Sequence, residues 1–81
     1  MKMEIFEYNI YVKKQEVVGT NDLELAKGIA HQLAIENHCD VDVINAFTGE
    51  VHCSYVSYIH ITYNADNEEI EKIYEVKERE W

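Results

Sequence analysis

Eighty-one residues imply one domain, and the scaling of area with mass gives roughly 5,000 Å² of folded surface, enough for one helix layer on one sheet but not for a deep catalytic cavity. Sixteen acids face seven bases, and the net charge of −9 argues against direct binding to nucleic acid, whose phosphates are held mainly by Lys and Arg. The composition, 47% apolar and 28% charged, excludes a disordered tail. No apolar run approaches the roughly 18 residues of a membrane-spanning helix.

The opening stretch, MKMEIFEYNIYV, carries acids and alternation where a secretory leader needs an apolar block. With two cysteines and no such leader, free thiols in a reducing, cytoplasmic setting are expected. Phe6, Tyr8, Ile10 and Val12 recur at a spacing of two around Glu7 and Asn9, the pattern of a half-buried strand. KKQE breaks it, and EVVG reads as a short return strand ending at Gly19. Lys14-Gln15 lack the positive-φ chemistry of a tight hairpin turn.

TNDLELAKGIAHQLAIENH is the clearest element. Asn21 is placed to cap a helix with Glu24 as its capping-box partner, and Asp22 and Glu24 suit the positive end of the dipole. Leu23, Ala26, Ile29, Ala30 and Leu33 form an apolar stripe, widened by Leu25. Asn37 and His38 are placed to close the helix. Gly28 costs about 1 kcal/mol relative to Ala; it reads either as a close approach to the sheet or as a tolerated surface glycine.

CDVDVINAFTGEVHCSY follows. Cys39, Val41 and Val43 alternate with Asp40 and Asp42, and FTG fits a three-residue hairpin loop whose last residue has positive φ. In that register Val41 faces Tyr55 and Val43 faces Cys53, so apolar meets apolar along the ladder. The alternation continues through VHCSYVSYIHITY, with odd-numbered residues from Val51 to Tyr63 on one side. Such a strand reaches roughly 40 Å, and the short strand after Cys39 covers only its first half. The second half needs either the N-terminal strand or the C-terminal segment as partner.

That segment, NADNEEIEKIYEVKEREW, carries two patterns. As a helix, Asp66 caps with Glu69, Ile70, Ile73, Tyr74 and Trp81 share a face, and Glu68 with Lys72 and Glu75 with Arg79 are favourable i, i+4 pairs. As a strand, Ile70, Tyr74 and Val76 share a face with Lys72 intruding. The expected fold is α+β over 1–81: a small antiparallel sheet of three to five strands, one main helix on one face, and a second helix or further strand at the C-terminus.

His38-Cys39 and His52-Cys53 raise the question of a metal site. Neighbours on a strand point to opposite faces, so His52 and Cys53 cannot readily hold one ion together. The hairpin register separates Cys39 from Cys53 by roughly 13 Å, beyond a disulfide or a shared ion. The thiols are expected to pack as small hydrophobes, and His52 and His60 fall on the polar side of the long strand. No cofactor or metal is expected. Ser54 and Ser57 lack a glycine-flanked elbow, and the isolated glycines form no phosphate loop, so catalysis is not expected.

What remains is partner binding. Tyr58 and Trp81 suit interface anchors. Asp40, Asp42 and Glu50, with Glu68, Glu71 and Glu75 from the acidic run over 66–80, could imitate a phosphate backbone towards a lysine- or arginine-lined groove. In size, charge and α+β compactness the whole chain resembles the small acidic inhibitors carried by phages and mobile elements, anti-CRISPR proteins among them. The resemblance is one of profile. It implies blockade of a basic, nucleic-acid-binding protein partner in the host, without cofactor or turnover. The alternative is a structural accessory domain that forms a homodimer through its long strand, with the acids serving solubility. A metal-responsive regulator using His38, His52 and the cysteines is a third reading.

Overall fold

The structure, a computed structural model, describes residues 5–81; part of the leader argument lies outside the described residues, and the opening strand begins at Tyr8, so Phe6 precedes it. The elements are β1 (Tyr8–Val12), β2 (Gln15–Thr20), α1 (Leu23–Asn37), β3 (Val41–Asn45), β4 (Val51–Tyr63) and β5 (Glu69–Glu80). All strand pairs are antiparallel, in the order β2-β1-β3-β4-β5, and α1 packs on one face. This is the expected α+β architecture, with the strand alternative at the C-terminus.

The β1–β2 turn differs from the reading of Lys14-Gln15. Val12 pairs with Gln15, so the turn residues are Lys13 and Lys14, with φ of 52° and 65°. Two lysines thus adopt the left-handed region that Asn-Gly would enter more easily. At the other end of β2, a Cβ on Gly19 would stand 2.6 Å from Phe6 Cδ2, so this strand end admits only glycine without movement of the ring.

Asp22, not Asn21, caps α1: its Oδ1 accepts from the N–H groups of Glu24 and Leu25 at 3.0 and 3.2 Å. Asn21 is used one step earlier, its Oδ1 accepting from Glu7 N at 2.8 Å, which ties the approach to β1 to the entry of the helix. His38 closes the helix in the left-handed conformation. Ala26, Ala30 and Ala34, four residues apart, are fully buried, and these small side chains let α1 lie close to Ile10, Val41, Val43, Cys53 and Tyr55. Leu25 sits off this stripe and is exposed, so it does not widen the buried face. Nothing lies within 4 Å of a Cβ at Gly28, which makes it a surface glycine.

Val41 opposite Tyr55 and Val43 opposite Cys53 are observed. The loop before them is longer than expected. Asn45 N donates to Glu50 O and Gly49 N to Asn45 O, with Gly49 at φ 74°. Asn45 and Glu50 therefore close a four-residue loop, and a bulge beside Val43 and Ile44 restores the parity. Without that bulge the one-residue slip would turn Cys53 and Tyr55 to the opposite face.

β5 pairs with β4 from Cys53–Glu80 to Thr62–Glu71, with a bulge before Tyr63–Glu69. Asn64 organises the connecting loop: its Oδ1 accepts from Asp66 N and Glu68 N, and Asn67 adopts positive φ. Asp66 is therefore a turn residue and not a helix cap, and the i, i+4 ion pairs of the helical reading do not form.

Candidate functional site

α1 has 15 residues and spans about 22 Å, whereas β4 has 13 and spans about 43 Å. The helix therefore covers only the first half of the strand. Beyond Ser57, β4 and β5 continue as a two-stranded arm. Its consequences are an extent of 60 × 26 × 18 Å and a surface of 5991 Å², about 1,000 Å² above the scaling for a compact chain.

The arm carries large apolar side chains into solvent. Facing residues of an antiparallel pair share a side, so Ile59 with Tyr74 and Ile61 with Lys72 lie on the face that α1 covers further down. Ile59 is 49% exposed, Ile61 40% and Tyr74 42%. Tyr63 and Ile70, beside the bulge near the tip, are also exposed. At the root of the arm His38 stacks on Tyr74 with ring centroids 3.8 Å apart, and His31 stacks on Tyr55 at 5.2 Å.

The opposite face holds Val56 with Lys77, Tyr58 with Glu75, His60 with Ile73 and Thr62 with Glu71. Glu75 meets His60 Nε2 at 2.9 Å and Lys77 at 3.8 Å, and Lys77 stands 5.6 Å over the Tyr58 ring. Nearer the body, Ser54 Oγ donates to Asp42 Oδ1 at 2.6 Å and accepts from Trp81 Nε1 at 2.9 Å. The Trp81 ring in turn lies 4.5 Å from the Arg79 guanidinium.

The expected site residues are thus dispersed. Asp42 joins Trp81 through Ser54, and Tyr58 faces Glu75. Glu71 lies further along that face, and Glu68 sits in the loop at the tip. Glu50 shares with Trp81 the rim of a shallow cleft of about 440 Å³, and Asp40 accepts from Ser57 N at 2.9 Å. Strand alternation splits the acidic run, sending Glu71 and Glu75 to one face and Glu78 and Glu80 to the other, where both meet Lys27.

That seam beneath the helix is electrostatically distinct. Burial pushes the Tyr55 hydroxyl well above its ordinary value, reinforced by its 3.0 Å hydrogen bond to Glu78. Burial, then the nearby Glu78, likewise raises the Cys53 thiol. For Lys27 burial acts downward, but Glu78 and Glu80 outweigh it and raise the ammonium. Cys53 is buried and Cys39 half-buried, both as free thiols. Among the described residues no three His, Cys, Asp or Glu side chains converge as a metal site would need, and no helix is long and apolar enough to cross a membrane.

The arm residues Ile59, Ile61 and Tyr74 are not among the site residues expected from sequence, yet a signal is there. A 13-residue alternating strand is about twice as long as a 15-residue helix, so one helix cannot cover it. No known protein family, curated protein or solved structure matches the chain.

Proposed function

We propose that this protein is a binding module that acts by occupying a partner protein through the β4–β5 arm, without turnover. One observation carries the reading. Ile59 and Ile61 stand exposed on the arm beside the partly exposed Tyr74, whose ring His38 covers on one side, and contiguous apolar surface of this kind marks interaction sites. Asp66, Glu68, Glu69 and Glu71 surround the tip, so the preferred partner is basic, its encounter rate raised by charge complementarity. Where that basic surface ordinarily holds nucleic acid, occupancy is inhibition, in keeping with the resemblance to small acidic phage-borne inhibitors.

The test is a pull-down across a salt series, run with wild type, with Ile59→Asp/Ile61→Asp, and with Val17→Asp on the far edge as control. The expected result is a basic protein whose capture fades as ionic strength rises, is lost with the arm variant and survives in the control. Capture indifferent to the arm substitutions would refute the reading.

A further inference from the structure

The sheet ends on two unlike edges. β2 is six residues long, and its pairing is interrupted by a bulge between Ile10 and Tyr11. β5 is twelve residues long, pairs regularly from Glu71 to Glu80, and among the described residues has no strand on its outer side. Such an edge is a template for another strand.

The charges on β5 have an order. On the face away from α1, acids come first and bases last: Glu71, Glu75, then Lys77, Arg79. On the helix side the order is reversed, with Lys72 first and Glu78 and Glu80 last. Antiparallel pairing with an identical strand brings the beginning of one to the end of the other, so opposite charges meet on both faces. Among the described residues Arg79 and Lys72 pair with aromatic rings and not with carboxylates, and Glu71 has no ion pair.

A groove of about 360 Å³ runs beside this edge, lined by His31 and Ile35 of α1, by its C-cap His38 and by Tyr74, Glu75 and Val76 of β5, with no β4 residue in its wall. A strand added to β5 would lay its helix-side side chains there.

We propose that the free edge of β5 pairs antiparallel with β5 of a second copy of this chain, with the two-fold axis at Val76. An axis at Glu75 would set Glu71 against Arg79 and Lys72 against Glu78 but also Glu75 against Glu75 of the copy, a like-charge contact that disfavours this register. An axis at Val76 sets Lys72 against Glu80 and Glu75 against Lys77. This overlap adds roughly eight to ten backbone hydrogen bonds and seats Val76 of each copy in the groove of the other. A charged edge ordinarily repels strands; this order makes it receptive to its own copy. The edge contact is independent of the arm-face reading above, because the two surfaces differ and self-association is measured without any partner.

The experiment is analytical ultracentrifugation of the whole chain over a concentration series, with circular dichroism to confirm folding. Wild type should sediment as a concentration-dependent dimer. Lys77→Glu/Arg79→Glu and Glu71→Lys/Glu75→Lys should each raise the dissociation constant roughly tenfold or more, and the four substitutions together should restore it. The second pair makes the chain less acidic, so simple net-charge repulsion would strengthen its association, whereas edge pairing weakens it. A wild type monomeric up to about 100 µM, a dimer indifferent to the reversals, or no rescue in the combined variant would each overturn the proposal.

Discussion

The two halves of β4 carry the same alternation and meet different fates. In the first half Cys53 and Tyr55 lie under α1 with Ile10, Val41 and Val43, at 0–6% exposure. In the second half Ile59 and Ile61, on the same side of the same strand, are 49% and 40% exposed. Alternation thus specifies a strand and its faces, but burial depends on what reaches across to cover them. The body is held by packing, whereas the arm is a two-stranded ribbon of a kind that is marginal on its own.

The contrast can be broken most forcefully by truncating one apolar residue in each region. Ile10→Ala, in the fully buried core, should cost about 2–5 kcal/mol in urea unfolding, while Ile61→Ala on the arm should cost less than about 1 kcal/mol. Equal losses would mean that the arm is packed as firmly as the body.

The turns sharpen the comparison. The arm loop places Asn67 at positive φ and satisfies its N–H groups through Asn64, whereas the β1–β2 turn holds Lys13 and Lys14 there. Replacing the two lysines by Asn-Gly should stabilise the body by about 1–2 kcal/mol, seen as a higher denaturant midpoint at unchanged slope.

The smallest expected effect concerns the seam beneath the helix. Tyr55→Phe removes the hydrogen bond to Glu78 and should cost about 1 kcal/mol at neutral pH. Because the folded state raises the Tyr55 value above its ordinary 10.0, the tyrosine's contribution is intact below pH 10.0 and is lost as pH climbs through the raised value. Lys27 and Cys53, also raised, act in the same direction. Wild-type stability should therefore begin to fall above about pH 9, where Cys53 starts to ionise in the unfolded chain. The fall should steepen above about pH 10 in a denaturant titration, and Tyr55→Phe should flatten the steeper part.

Local chemistry made much of this structure legible in the chain. The spacing of Ala26 and Ala30 specified the helix, and the valines at 41 and 43 set against Cys53 and Tyr55 fixed the central register. The parity survives a loop one residue longer than the FTG pattern implies, because burying the wrong face costs more than inserting a bulge. The cap lies one position beyond the capping-box pattern, since Asn21 and Asp22 are both good acceptors and only the proximity of Glu7 decides which is free to cap.

The C-terminal segment marks the limit. Its residues satisfy a helical stripe and a strand alternation equally well, and the choice depends on the bare flank of β4, whose unpaired backbone groups require a partner that a helix cannot supply. The same holds for the acids: composition determined how many there are, but pairing with β4 decided which share a face and which meet Lys27. Sequence alone determined α1 and the strands up to β4, the inward sides of their core residues and the acidic surplus, because these follow from neighbours along the chain. Only the tertiary structure decided the arm, its uncovered apolar face and the free edge of β5, because these depend on how far one helix reaches over a strand about twice its length.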